Sequence, residues 1–248
     1  MAADGTRRTR AFEEVLLQVE HRIAGDGLKV GDRLPGERQL AEQLGVSRAS
    51  VREAIRVLET LGVVSSQVGR GPDAGAVLTS RPDSALTDLL RLSLSLSSLS
   101  LREVIDTRLM IERWSAEHAA HTANANRAAD VDGNAGTDGD TRHDALAAAA
   151  AAMEAMDAAR DPEEFVRHDI AFHVAIAEAS GNRLVAAVMR ALRGAMRKYA
   201  IEAVERLGDT GVLREDHRRI HRAVLAGDAA TAAEAVTVHL AHAYPELF

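Results

Sequence analysis

The segment of residues 34–62 constrains the fold of this chain more than any other. It predicts two short helices separated by Gly45 and Val46, with Ser47 in the position that caps the second helix. Each predicted helix has one apolar face, because hydrophobic residues recur every three or four positions. These residues are Leu40, Ala41 and Leu44 in the first helix and Val51, Ala54, Ile55 and Leu58 in the second. The segment therefore predicts a packed helix–turn–helix pair.

Another face of the second predicted helix carries arginines. Arg48, Arg52 and Arg56 recur at intervals of four residues, which places their side chains in one stripe. Like charges at this spacing repel one another in an isolated helix, so the stripe favours an anionic partner. The alternative is that each arginine is a solvated surface charge. The stripe makes this helix a candidate for insertion into a groove of DNA.

A β-hairpin is predicted directly after the helix pair. Residues 63–68 predict a strand, Gly69 and Arg70 lie in the turn, and residues 76–78 predict the returning strand. A helix–turn–helix followed by a hairpin is typical of a winged helix. We therefore predict a winged helix–turn–helix domain over residues 1–80.

Charge and composition limit what the chain can bind. Its net charge is −7, but the first 80 residues carry 11 Lys and Arg against 11 Asp and Glu, so the acidic excess lies in the remainder. DNA affinity then has to come from clustered arginines rather than from a broad basic surface. With no cysteine, any metal site must use His, Asp or Glu. The sequence has no apolar run of about 18 residues and no signal peptide, which predicts a cytoplasmic protein without a membrane partner.

The remainder of the chain predicts helices rich in alanine. Residues 81–99 are interpreted as a linker and connecting helix, although the alternation of Leu and Ser over 92–101 also fits a strand. Ser100 and Glu103 have the spacing of a capping box, which marks a new helix and the start of an antiparallel helical bundle over 100–248. A flexible loop is predicted over about 124–141, because Asp, Gly and Asn dominate there. One uninterrupted helix is predicted over 184–204.

Four polar residues on predicted inner faces form a candidate metal site. Asp169 and His173 lie one turn apart on one helix, and His217 and His239 lie among apolar residues of two other helices. Any one of these histidines could instead be an ordinary core or surface residue. Together, three imidazoles and a carboxylate suit a first-row divalent metal. A buried arginine, Arg108, also needs an anion, which Glu112 or a bound carboxylate could supply.

These motifs resemble two known domains. The segment 34–62, with its Leu34-Pro35, Glu37-Arg38 and Leu44–Arg48 matches, resembles the DNA-binding domain of the GntR family of bacterial transcription regulators. The C-terminal pattern resembles the FCD ligand-binding domain of its FadR subfamily. That pattern consists of Arg108, Glu112, Asp169, His173, Asn182, His217 and His239.

The resemblance implies partners and ligands. It implies a homodimer on a palindromic operator in double-stranded DNA, contacted by Arg38, Arg48, Arg52 and the wing-tip Gly69. We predict Ser47, Ser50 and Arg70, which lie beside them, as further DNA contacts. The resemblance implies a divalent metal ion (Zn, Ni or Mn) on Asp169, His173, His217 and His239. It also implies a small organic acid effector near Arg108, Glu112 and Asn182.

The predicted protein is mainly α and is a transcriptional regulator, a repressor, rather than an enzyme. Three alternatives remain open at the level of the sequence. The metal itself could be the signal, or the fold could bind an acyl-CoA without metal, although the intact ligand set disfavours the second. A metalloenzyme is the third, because a four-ligand metal site can leave coordination positions for a substrate.

Overall fold

A computed structural model describes residues 13, 15–21, 23–67, 75–79, 82–132 and 137–248. Within these ranges the side chains are described except at residues 66, 67, 75, 82, 83, 124–132 and 137–140. The chain divides between Ala85 and Leu86 into two compact units. The finer division into a linker over 81–99 and a ligand-binding domain over 100–248 stays a prediction.

Three helices and a hairpin surround one apolar core in the N-terminal unit. Helix α1 is helical at residues 13, 15–21 and 23–25, α2 spans Glu37–Leu44 and α3 spans Arg48–Thr60. Gly45 ends α2 in the left-handed conformation, with φ 65°, which glycine adopts without a steric penalty. Ser47 then caps α3 by accepting a hydrogen bond from the amide of Ser50 at 3.1 Å. The four residues predicted for the inner face of α3 are all buried, so its amphipathic pattern is confirmed.

The hairpin follows α3 as predicted. Strands β1 (Val64–Gln67) and β2 (Gly75–Leu78) pair antiparallel, with Val64 opposite Leu78. An isolated bridge between Arg33 and Val77 ties the segment before α2 to the hairpin. The predicted winged helix–turn–helix is confirmed, but the predicted DNA contacts Gly69 and Arg70 lie outside the described residues.

The C-terminal unit is built from helices. Helix α5 packs against α7, α10 and α11, and α7 also packs against α6 and α8. These contacts turn the inner faces of several helices toward one core, which holds the candidate site. The helices are α4 (Pro82–Ser95), α5 (Leu101–Asp132), α6 (Thr137–Ala158), α7 (Pro162–Ala179), α8 (Arg183–Ala195), α9 (Arg197–Leu207), α10 (Gly211–Ala226) and α11 (Ala229–Ala243), followed by a 3-10 turn at Pro245–Leu247.

The ambiguous Leu and Ser alternation belongs to a helix and a turn. Helix α4 continues to Ser95, because Leu90 and Leu94 are one turn apart and both pack on the core. The chain then turns at Ser97, which has φ 55°. The capping box that starts α5 is confirmed by two hydrogen bonds. Ser100 Oγ accepts from the Glu103 amide at 3.2 Å, and the Glu103 carboxylate accepts from the Ser100 amide at 2.8 Å.

Two predicted boundaries are wrong. The segment predicted as a loop over 124–141 is mostly helical, since α5 continues to Asp132 and α6 begins at Thr137. The prediction gave most weight to the Asp, Gly and Asn of this segment, whereas its several alanines favour a helix. The helix predicted over 184–204 is interrupted at Met196, between α8 and α9. Gly194 lies just before this break. A Cβ there would approach Thr87 Cγ2 to 3.0 Å, so this poor helix former permits close packing against Thr87.

Among the helices that the structure describes, none combines the length and the apolar character that crossing a membrane requires.

Candidate functional site

The exposed face of α3 and its N-terminus carry most of the residues predicted to contact DNA. Arg38, Arg48 and Arg52 are exposed, and Arg38 and Arg48 form no ion pair with any residue that the structure describes. Ser47 and Ser50 are engaged with each other, because their hydroxyls lie 2.9 Å apart and Ser47 also caps the helix. The two serines therefore fix the end of α3 that carries the unpaired Arg48.

Arg52 has a partner within the same unit. Its Nε and one terminal nitrogen both lie 3.1 Å from Glu37 Oε2 on α2, and its side chain remains 51% exposed. An exposed pair of this kind contributes about 0–1 kcal/mol, so an anionic partner of comparable strength can replace Glu37. This pair orients the arginine while leaving it accessible.

The four predicted metal ligands come together inside the C-terminal unit. Asp169, His173, His217 and His239 are all buried, and one possible ligand atom from each lies within 4.8 Å of the others. His173 Nε2 lies 3.2 Å from both His217 Nε2 and His239 Nε2. Asp169 Oδ1 lies 3.0 Å from His217 Nε2 and 3.5 Å from His173 Nε2. Helices α7, α10 and α11 thus direct three imidazole nitrogens and one carboxylate oxygen to one point.

The spacing of these atoms fits a metal ion. Nitrogen ligands lie about 2.0–2.1 Å from a zinc ion, so two neighbouring ligands are about 2.9–3.4 Å apart. The observed separation of 3.2 Å between imidazole nitrogens falls in that range. Three imidazoles that converge through Nε2 cannot all donate hydrogen bonds to one another, since an Nε2 that carries a proton has no lone pair with which to accept. A shared cation satisfies all three lone pairs at once.

Two buried arginines and a second buried carboxylate surround this cluster. Glu112 Oε1 accepts from Arg108 Nε at 2.8 Å, and Glu112 Oε2 lies 2.8 Å from His173 Nδ1. Arg193 reaches both acids, with one nitrogen 2.7 Å from Asp169 Oδ2 and another 3.3 Å from Glu112 Oε2. Burying charges is costly unless they are paired, and here each cation meets at least one carboxylate.

The sequence interpretation missed Arg193, which is only 3% exposed. A signal was present, because this arginine lies four residues after Met189 and three before Met196, on a face that is otherwise apolar. It also missed Tyr244, a buried residue whose hydroxyl accepts from Arg108 at 3.4 Å. Tyr244 follows the last predicted helix, where periodicity gives no indication of burial.

Protonation of the cluster follows from its burial and its charges. Burial lowers the pKa of His217, and burial together with the neighbouring His217 lowers the pKa of His239 to about 3. Burial alone would raise the pKa of Asp169, but Arg193 and the hydrogen bond from His217 outweigh it and hold that pKa well below its usual value. His217 and His239 are therefore neutral and Asp169 is ionised near pH 7, which are the forms that bind metal.

A small cavity adjoins the cluster. Its volume is about 20 Å³, room for about one water molecule. The polar part of its wall is formed by Arg108, Asp169, Arg193, His239 and Tyr244, and the remainder is apolar, with several alanines. The cavity therefore combines two cations with small side chains that leave space beside a metal position.

Asn182 does not belong to this site. Its side chain is exposed at the start of α8, where Oδ1 accepts from the amides of Leu184 at 3.1 Å and Val185 at 3.2 Å. An asparagine that follows a glycine turn and precedes an apolar run is a standard N-cap. Its prediction as an effector contact is corrected to a helix cap.

Comparisons with known proteins agree with both units. The sequence pattern described as "Bacterial regulatory proteins, gntR family" matches residues 12–72, and the FCD domain pattern matches residues 103–242. A solved structure described as a Streptococcus agalactiae GntR protein has a TM-score of 0.61 at 22% identity, covering 95% of this chain and 99% of that one. At this identity the likeness shows the fold.

Two curated relatives have names that describe regulators. A protein of Escherichia coli K12 named as an L-lactate dehydrogenase operon regulatory protein is 31% identical over 93% of this chain and 84% of its own length. The regulator LutR of Bacillus subtilis is 28% identical over 88% of this chain and 92% of its own. This chain therefore belongs to the gntR family of bacterial regulatory proteins and, with its FCD domain, is a DNA-binding transcriptional regulator rather than an enzyme.

Proposed function

We propose that this regulator binds a divalent metal ion and a small carboxylate in its C-terminal unit, and that both change its affinity for operator DNA. The convergence of three imidazole nitrogens and Asp169 Oδ1 carries the proposal. Asp169, His173, His217 and His239 would hold the ion, and their ligand types suit Zn, Ni or Mn. When bound, such an ion supplies positive charge and a coordination position for an anion.

The charge balance of the site supports an anionic effector. Arg108 and Arg193 are offset by Glu112 and Asp169, so the buried network is neutral before a divalent ion is added. The ion brings two further positive charges into a region of low dielectric, where an unbalanced charge is unfavourable. A small organic acid offsets part of this excess, and Arg108 and Arg193 on the cavity wall are the cations placed to contact it.

The size of the cavity suggests how binding is communicated. An organic acid of several atoms exceeds about 20 Å³, so the wall has to move to admit it. Ala200 and Val204 of α9 form part of that wall. A coupling of about 1–3 kcal/mol between effector and DNA, a factor of about 5–150 in affinity, is sufficient for regulation.

A homodimer on a palindromic operator is proposed for the DNA-bound form. Support comes from Leu89, Leu92 and Leu96, which lie on one side of α4 and the turn after it and are 61%, 52% and 77% exposed. Their spacing of three and four residues gives one apolar stripe of the kind that protein partners cover. Cytoplasmic location stays a prediction, as does repression, and a relative in Escherichia coli K12 is named as the Glc operon transcriptional activator.

The metal site can be tested directly. We expect the purified protein to bind one Zn²⁺ per chain. With free Zn²⁺ at 100 times its Kd, the free energy of unfolding should rise by about 2.7 kcal/mol, so the protein should unfold at a higher temperature. His239→Ala should lose this stabilisation, whereas His143→Ala, an exposed histidine outside the cluster, should retain it. Differential scanning fluorimetry and elemental analysis measure both. A wild-type protein that neither carries nor binds a divalent metal would contradict the site.

The effector can be sought with the metal-loaded protein. L-lactate is the first candidate, because of the name of the Escherichia coli relative, and other small hydroxy acids follow. We expect one of them to change affinity for a selected DNA duplex about 5–150-fold, and a repressor should be released. Fluorescence anisotropy with metal, acid, both or neither separates this mechanism from a response to metal alone. No change with any acid, beside a clear change with metal, would favour the metal-only alternative.

Arg48 is expected to be a direct DNA contact. Arg48→Ala should weaken binding to a palindrome selected from a random duplex library by about 1–3 kcal/mol if the arginine reads a base. If it contacts phosphate instead, the loss of affinity should be similar for all DNA sequences. The slope of log affinity against log salt concentration should then become shallower by about one. Arg102→Ala, an exposed arginine of α5 paired with Asp106, is the control. If both variants bind DNA with equal affinity, Arg48 is not a DNA contact.

The leucine stripe is expected to form the dimer contact. Replacing Leu89 and Leu92 by Asp places charges in an apolar interface, and sedimentation velocity should then show monomers where the wild type is dimeric. Leu184→Asp, on α8 and 72% exposed, is the matched control. A double variant that remains dimeric would locate the interface elsewhere.

A further inference from the structure

Glu112 is the most heavily contacted carboxylate of the buried network. It accepts from Arg108 Nε at 2.8 Å through Oε1, and its Oε2 lies 3.3 Å from a nitrogen of Arg193 and 2.8 Å from His173 Nδ1. Three donors from α5, α7 and α8 thus converge on one side chain that is 2% exposed. A group with this coordination is fixed in position.

The contact with His173 determines where that ring carries its proton. A carboxylate paired with two arginines is ionised and can only accept, so Nδ1 has to be the donor. A neutral imidazole has one N–H, which leaves Nε2 with a free lone pair. That atom is the one lying 3.2 Å from His217 Nε2 and His239 Nε2.

The other two histidines of the cluster lack this support. His217 Nδ1 and His239 Nδ1 are buried and have no hydrogen-bond partner among the described residues. The nearest carboxylate to His239, that of Asp216, is 3.8 Å from Nδ1 and instead meets His242 Nδ1 at 2.8 Å. Within the described part of the chain, His173 is therefore the one ligand histidine whose second nitrogen is held by a carboxylate.

We propose that Glu112 is a positioning residue that holds His173 in the Nδ1–H form and so presents its Nε2 to the metal. This assignment, which for the metal rests on the function proposed above, replaces the prediction that Glu112 contacts the effector. A carboxylate that already accepts from three donors has few free lone pairs for a ligand, and its negative charge repels an organic acid. Arg108 and Arg193 in turn hold Glu112, so both arginines act on the ligand set through it.

The tautomer is measured on the metal-free, full-length protein labelled with ¹⁵N. Long-range ¹H–¹⁵N correlation spectra distinguish a protonated from a bare imidazole nitrogen, and a His173→Gln variant assigns the signals. We expect a protonated Nδ1 and a bare Nε2. A wild-type His173 that carries its proton on Nε2 overturns the proposal, whether or not the protein binds metal.

The variants are chosen to keep the core neutral and folded. Arg108→Met with Glu112→Gln serves as the reference, because it removes one charge of each sign and keeps an acceptor for His173. Arg108→Met with Glu112→Leu has the same net charge and lacks that acceptor. The freed ring then has Asp169 Oδ1, 3.5 Å from its Nε2, as its alternative acceptor. We expect the proton to move to Nε2 and Zn²⁺ affinity, measured by competition with a chromophoric chelator, to be about 10–100-fold weaker than in the reference.

The reference and one further variant separate positioning from packing. In the reference, the amide oxygen introduced by Glu112→Gln should keep His173 in the Nδ1–H form. Asp216→Asn changes a buried carboxylate that does not contact His173, so the tautomer of His173 should stay the same. A reference and a Leu double variant with equal Zn²⁺ affinity overturn the role of Glu112 in metal binding. A wild type without Zn²⁺ affinity counts against the metal site, and the tautomer still decides what Glu112 does.

Discussion

The buried ion network of the helical bundle is the constraint on which the C-terminal unit depends. Arg108 and Arg193 are as buried as the leucines around them, and Glu112 and Asp169 neutralise them. Removing one member would leave a charge without a partner in the core, at a cost of about 3–5 kcal/mol. The helices that carry these four residues, α5, α7 and α8, therefore have one relative arrangement that satisfies all of them. Because α7 also carries His173, the same arrangement positions one histidine of the cluster.

Small side chains make this arrangement possible. The core of the bundle contains many alanines among larger residues such as Phe172 and Met196, and aromatic residues are rare in the whole sequence. Alanine lets helix backbones approach closely, so long polar side chains can reach across from one helix to the next. Such packing also leaves a cavity of about 20 Å³, and any ligand larger than that has to shift the wall. Interiors as dense as those of proteins transmit such shifts, which suits a sensor domain.

The N-terminal unit has to attract DNA without an excess of positive charge. Its charges balance over the first 80 residues, so it lacks a broad basic field and relies on a few exposed arginines. The pair between Arg52 and Glu37 shows how an acidic residue can orient such an arginine without burying it. Position rather than total charge then governs contact with DNA.

The sequence by itself determined the local features. Periodicity identified α3 and its buried face, and the capping box predicted the start of α5. The cluster was predicted because four polar residues lie on inner helix faces: Asp169, His173, His217 and His239. Only the tertiary structure decided which side chains contact one another. Asn182 became a helix cap, Glu112 became the partner of His173, and Arg193 entered the network from an apolar face. The reason is physical: periodicity records which side of a helix is buried, whereas hydrogen-bond partners depend on the distance and rotation between helices far apart in the chain.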